Sequence, residues 1–185
     1  FKLQDIIDYE SRILRNFEYM KRRDAEENFD FKQPISYILI VNPKLRKVFA
    51  YERSNDGNKY AERRLQGKLS FGIGGHIEKI DFQVNPIHTS MLRELEEEVE
   101  IHGNKQPRLL GYINDDSNNV GKVHFGILYL IETDAEEVKP KDKEVEFGRL
   151  TPIELLEELI KADSNIEEWS RIAFNELKSY LGTRT

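Results

Sequence analysis

Arg93-Glu94-Leu95-Glu96-Glu97-Glu98, preceded by the turn Gly74-Gly75-His76-Ile77-Glu78, is the stretch on which the fold turns. Placed on a helix over residues 87–100, its residues separate into two sets. Ile87, Met91, Leu95 and Val99 recur every four residues, with Leu92 beside them, and form one apolar stripe. Glu94 stands i,i+4 from Glu98 and i,i+3 from Glu97, so three carboxylates stack on another face. Like charges this close cost roughly a few tenths of a kcal/mol per pair on an exposed helix. A hard divalent cation reverses the sign, because Mg²⁺ and Mn²⁺ take carboxylate oxygens.

A glutamate-rich face is also the ordinary look of a solvated helix. The context argues for more. An apolar, glycine-punctuated strand, Leu69-Ser70-Phe71-Gly72-Ile73-Gly74-Gly75, leads into the segment. Asn85-Pro86 then supplies an N-cap and a proline at the first helical position. Strand, glycine turn, loop and acidic helix together make a constellation.

This constellation resembles the Nudix hydrolases. Their signature runs glycine, five residues, glutamate, seven residues, then Arg-Glu-aliphatic-x-Glu-Glu-x-Gly-aliphatic. Gly75 matches the opening glycine; Arg93, Glu94, Leu95, Glu97, Glu98 and Ile101 match the second half in register. Three departures stand out. Asp81 occupies the first glutamate position, the interval from Gly75 to Arg93 is four residues longer, and the late glycine is Glu100, with Gly103 expected to end the helix instead.

The resemblance implies an α+β fold: a Nudix-like α/β/α sandwich with a mixed sheet, its core at about 35–162 of a single domain spanning 1–185. It also implies hydrolysis of a diphosphate linkage in a nucleoside diphosphate derivative or similar small molecule, with Mg²⁺ or Mn²⁺ as cofactor. Glu94, Glu97 and Glu98 are the implied metal ligands, with the Gly75 carbonyl facing the ion. Glu94 serves as base or ligand, and Arg93 holds a glutamate in place. A diphosphate repels attacking water, and a bridging cation neutralises that charge. Candidate substrate-binding residues are Arg64, Lys68, His76 and Glu144, with Arg63 and Glu146 beside them. Arginine suits phosphate geometry, although solvated edge charges explain 63–68 equally well. His76 is as readily a structural hydrogen bonder. A non-catalytic nucleotide- or metabolite-binding module on the same scaffold is the competing reading, motivated by the departures. An isoprenoid-isomerase relative is disfavoured, because those enzymes use a site cysteine and this chain has none.

Composition sets the outer bounds. The chain has 185 residues, 34% of them charged, and a formal net charge of −6. That suits one soluble globular domain with a real core. The absence of cysteine excludes disulfides, thiol catalysis and cysteine-type zinc sites. No apolar run approaches the roughly 20 residues of a membrane span. No secretory pattern is visible, and no basic stripe invites duplex nucleic acid. A cytoplasmic protein acting on a small molecule is expected.

Elsewhere, periodicity predicts an amphipathic N-terminal helix over 2–23 and a polar connector over 24–34. Strands are expected at 35–41, 47–53, 69–75, 108–113, 123–131 and 144–150, with a turn at 54–58. Helices are expected at 152–162 and 165–181. The terminal helices offer faces for the core or for a homodimer.

Overall fold

The computed structural model describes residues 1–54, 66–141, 145, 147–162 and 165–182. A mixed sheet runs through the molecule. Its central strand, β2 (Gln33–Asn42), is buried on both sides from Ser36 to Asn42. That explains the unbroken apolar run from Tyr37 to Val41: a strand covered on both faces has no reason to alternate with polar residues. Tyr37, Leu39 and Val41 face one core and Ile38 and Ile40 the other.

β2 pairs in parallel with β8 (His124–Glu132), from Gln33 opposite His124 to Val41 opposite Glu132. All other pairings in the sheet are antiparallel. β7 (Gln106–Ile113) lies beyond β8 and carries the two-residue β1 (Lys2–Leu3) at its edge. On the other side come β3 (Lys47–Glu52) and then β10 (Arg149–Pro152). The order is therefore β1-β7-β8-β2-β3-β10. Both edges are short, which limits edge-to-edge pairing with other chains.

Helices cover both faces. α5 (Ile153–Lys161) and α6 (Glu168–Gly182) bury Ile153, Leu156, Trp169, Phe174, Leu177 and Leu181 against one face. α1 (Tyr9–Asn16) and α3 (Pro86–Glu98) cover the other with Tyr9, Ile13, Leu14, Ile87, Met91 and Leu95. Each of the fully buried α3 side chains contributes about 1.5–3 kcal/mol. The expected α/β/α sandwich is present. α6 packs its apolar face on the chain's own sheet, whereas Ile6, Phe17 and Met20 of the N-terminal segment stay exposed.

α3 starts as its sequence dictates: Pro86 opens it and the Asn85 side chain accepts from the His88 amide at 3.1 Å. It stops earlier than expected. Val99 turns extended, and β6 (Val99–Ile101) pairs with β9 (Val138–Pro140). Val99 and Ile101 are buried and Glu100 is exposed, a period-2 pattern. Gly103 therefore ends no helix. Leu92 also departs from the expected stripe, remaining 43% exposed at its edge.

The N-terminal helix is broken. Leu3 belongs to β1; α1 starts only after Asp8, whose side chain accepts from the Ser11 amide at 2.9 Å. The chain then extends, and α2 (Arg22–Glu26) runs across the boundary between the expected helix and the expected connector. A short α4 (Asn119–Val123) occupies the loop before β8. The 69–75 strand divides into β4 (Leu69–Ser70), paired with β3, and β5 (Gly72–Ile73), paired with β2. Among the described residues, the last strand is β10, which begins at Arg149. Most of the expected 54–58 turn lies outside the described residues, as do Arg63, Arg64, Glu144 and Glu146.

Candidate active site

Arg93 is the organising residue. Its guanidinium makes five hydrogen bonds. Nε and Nη2 donate to the two carboxylate oxygens of Asp81, each at 2.9 Å. Nη1 donates to Glu94 at 2.7 Å and to Glu97 at 3.1 Å. Nη2 also donates to the carbonyl of His76 at 3.1 Å. Arginine has five N–H groups, so the set is saturated. One side chain thereby joins the 3₁₀ turn Lys79–Asp81, the acidic face of α3 and the segment after β5.

Asp81 is 1% exposed and stands at the signature's first glutamate position. It also caps its own turn: the Glu78 amide donates to its Oδ2 at 2.8 Å. The five-residue interval from Gly75 is kept, so the four extra residues lie between Asp81 and Arg93. Burial works against the charge on Asp81, but the Arg93 hydrogen bonds and the Glu78 amide outweigh it and hold the carboxyl below its ordinary range. Arg93 is held fully charged by the same bonds.

Glu94 has the opposite balance. Its side chain is 12% exposed. Burial raises its proton affinity, Arg93 opposes this, and Glu97 and Asp81 add to the rise. Glu97 is open to solvent. Glu98 accepts from the Gly74 amide at 2.9 Å, which ties the end of α3 to the glycine turn.

The two glycines of that turn are required for different reasons. Gly74 has φ +131°, and a Cβ there would lie 1.8 Å from the Ser36 carbonyl oxygen. Gly75 has an unexceptional φ, but a Cβ would sit 2.5 Å from Glu94 Oε1. The missing side chain at Gly75 is the space into which the Glu94 carboxylate fits. The Gly75 carbonyl accepts from the Ser36 amide at 3.2 Å.

Oxygen-only donors on one helix, beside a glycine cradle, suit a hard cation such as Mg²⁺ or Mn²⁺. Glu94 and Glu97 share the Arg93 guanidinium, whereas Glu98 is engaged by the glycine turn. Lys68 lies at the start of β4, half-buried, with its carbonyl bound by the Arg53 amide at 3.0 Å. The structure thus brings Arg93, Glu94, Glu97, Glu98 and Gly75 together. It gives His76 two roles: the carbonyl serves Arg93 and the ring faces elsewhere.

That ring meets Glu26 and His124. Among the described residues, these three form the group of His and carboxylate side chains whose ligand atoms all lie within 4.8 Å of one another. Sequence reading singled out His76 alone. Glu26, His76 and His124 come from α2, the segment after β5, and the first residue of β8, so no spacing signals them.

Comparison with known proteins agrees with the fold. No family model matches the chain. Protein YmaB of Bacillus subtilis (strain 168) is 38% identical over 178 residues, covering 91% of this chain and 82% of the relative. Among solved structures, Tm1382, a provisionally assigned Nudix hydrolase, superposes with a TM-score of 0.75 at 25% identity, over 94% of this chain and 85% of its own. The MutT protein from Methanosarcina mazei Go1 shares the fold, with a TM-score of 0.55 at 16% identity over 81% of this chain and 95% of its own. The chain belongs to the Nudix hydrolase family. Members of the family generally use divalent metals and act on small molecules. No described helix is long and apolar enough to cross a membrane.

Proposed function

We propose that this protein is a divalent-metal-dependent hydrolase that cleaves a diphosphate linkage in a nucleoside diphosphate derivative or a similar small phosphorylated molecule. The observation that carries the proposal is the Arg93 network. Its five hydrogen bonds hold Glu94 and Glu97 of the acidic face, together with Asp81 and the His76 carbonyl, beside a glycine turn whose missing Cβ makes room for Glu94. A surface helix has no need of such an arrangement.

Glu97 and Glu98 are the leading ligands for Mg²⁺ or Mn²⁺, with Glu94 as a third ligand or as the proton acceptor. When bound, the ion neutralises the diphosphate and acidifies water. The water oxygen bonds to phosphorus, the bridging P–O bond breaks, and the water proton passes to a carboxylate. Burial of Glu94 raises its affinity for that proton. Arg93 contacts no substrate in this proposal; with every donor engaged it is a positioning residue. Lys68, with Arg64 and Glu144, completes the proposed substrate side, and the expected setting is the cytoplasm.

The test is phosphate release from nucleoside triphosphates, dinucleoside polyphosphates, ADP-ribose and nucleotide sugars, with a coupling phosphatase, with and without Mg²⁺ or Mn²⁺. Metal-dependent turnover of one class supports the proposal and names the substrate. One observation favours the binding-module alternative: the α3 glutamates are not gathered within 4.8 Å as the Glu26 group is. That alternative predicts nucleotide-dependent thermal stabilisation with no turnover.

A further inference from the structure

We propose that Glu26, His76 and His124 bind a Zn²⁺-class ion through side chains separate from the α3 glutamates. The three candidate donor atoms are His76 Nε2, His124 Nε2 and Glu26 Oε1. The two imidazole nitrogens are 3.1 Å apart. Glu26 Oε1 lies 3.4 Å from His124 Nε2 and 3.8 Å from His76 Nε2. Donors on a tetrahedron with bonds of about 2.0–2.1 Å are separated by about 3.3 Å. A circle through three points with the observed separations has a radius of about 2.0 Å, the length of a Zn–N bond.

The state of His124 strengthens the case. Its Nδ1 lies 2.8 Å from the Val120 carbonyl oxygen. A carbonyl only accepts, so Nδ1 is the donor, which leaves Nε2 as the nitrogen whose lone pair a metal would take. Histidines that hold metals almost always anchor their second nitrogen in this way. That lone pair faces a glutamate oxygen at 3.4 Å, with the second imidazole nitrogen at 3.1 Å. His124 is 5% exposed, while the His76 and Glu26 side chains are 23% and 24% exposed, so the cluster is partly open to solvent. The Gln33 amide, 3.4 Å from His124 Nε2, is a further polar neighbour.

The donor chemistry selects the ion. Two imidazoles and one carboxylate suit Zn²⁺ and neighbouring transition ions; Mg²⁺ and Ca²⁺ prefer oxygen alone. Three protein ligands leave a fourth position for water or another group. The ion would clamp α2 to the segment after β5 and to the start of β8, two segments that β2 already holds side by side.

The test reads metal directly and does not depend on enzymatic activity. Full-length protein is stripped with chelator and titrated with Co²⁺ and with Zn²⁺, following the visible Co²⁺ spectrum and the metal content per chain. Wild type should take up about one ion with a tetrahedral-type Co²⁺ spectrum. The double variant Glu97→Gln/Glu98→Gln should keep it. His124→Asn and Glu26→Gln should each weaken binding by more than the roughly 10–100-fold that loss of an outer partner costs. Should His124→Asn fail to fold, the half-exposed Glu26→Gln decides. No uptake by wild type overturns the proposal. So does unchanged affinity in Glu26→Gln, or loss of the ion in the double variant.

Discussion

Asp81 and Arg93, twelve residues apart, meet in a bidentate ion pair with both contacts at 2.9 Å and the aspartate almost wholly buried. Two parallel N–H···O bonds fix orientation as well as distance. The pair aligns the 3₁₀ turn with α3 and leaves the remaining Arg93 donors aimed at Glu94, Glu97 and the His76 carbonyl.

Asp81→Asn should therefore destabilise the fold by roughly 3 kcal/mol, because it leaves a largely buried guanidinium without its main partner. Urea melts measure the loss. Turnover should fall with it, since the same guanidinium positions the two glutamates.

The same pair sets a pH dependence of definite sign. Asp81 titrates below its ordinary range in the folded protein, so its contribution is complete above the unfolded value near pH 4 and is lost as pH falls through the lower folded value. Glu94 runs the other way. Its folded form binds a proton more readily, so its contribution to stability falls as pH rises from the ordinary glutamate range through the higher folded value. Melts of wild type and Asp81→Asn across pH 3–6 should show acid destabilisation that is reduced in the variant.

Arg93→Lys should behave as a severe change. A lysine ammonium offers three donors where five are used, so at least two acceptors go unmatched. A cost of roughly 1–3 kcal/mol is expected in thermal unfolding.

Gly75→Ala places a methyl carbon where the Glu94 carboxylate sits. We expect turnover to fall about 10-fold or more, with a stability loss of roughly 1–3 kcal/mol from overpacking. Glu98→Gln makes a useful contrast. The amide oxygen can still accept from Gly74, so melting should change little, yet removal of the charge should lower turnover roughly 100-fold.

The features legible in the sequence are those written in neighbouring residues. The Asn85-Pro86 start of α3, its buried positions Ile87, Met91 and Leu95, and the strand at 35–41 depend on local pattern and form as read. The misses have a tertiary cause. Leu3 has helical spacing with Ile6 and Ile7 but finds a better partner in the edge of β7. Val99-Glu100-Ile101 leave the helix because β9 is there to pair with them. Asp81 looked like a defect in the signature, and only the folded chain shows it filling the place with a shorter carboxylate. Glu26 and His124 were invisible because they meet His76 only through the sheet.

The parallel pairing of β2 with β8 has a consequence for how the chain comes to be folded. Gln33 and His124 are 91 residues apart. The central strand therefore gains its main neighbour only after the chain has grown by those 91 residues. Until then it carries two apolar faces and an open edge. High contact order of this kind slows folding, and exposed strands invite self-association. Variants that weaken the early β2–β3 hairpin should first show themselves as poor yield during synthesis, before any loss is seen in the finished protein.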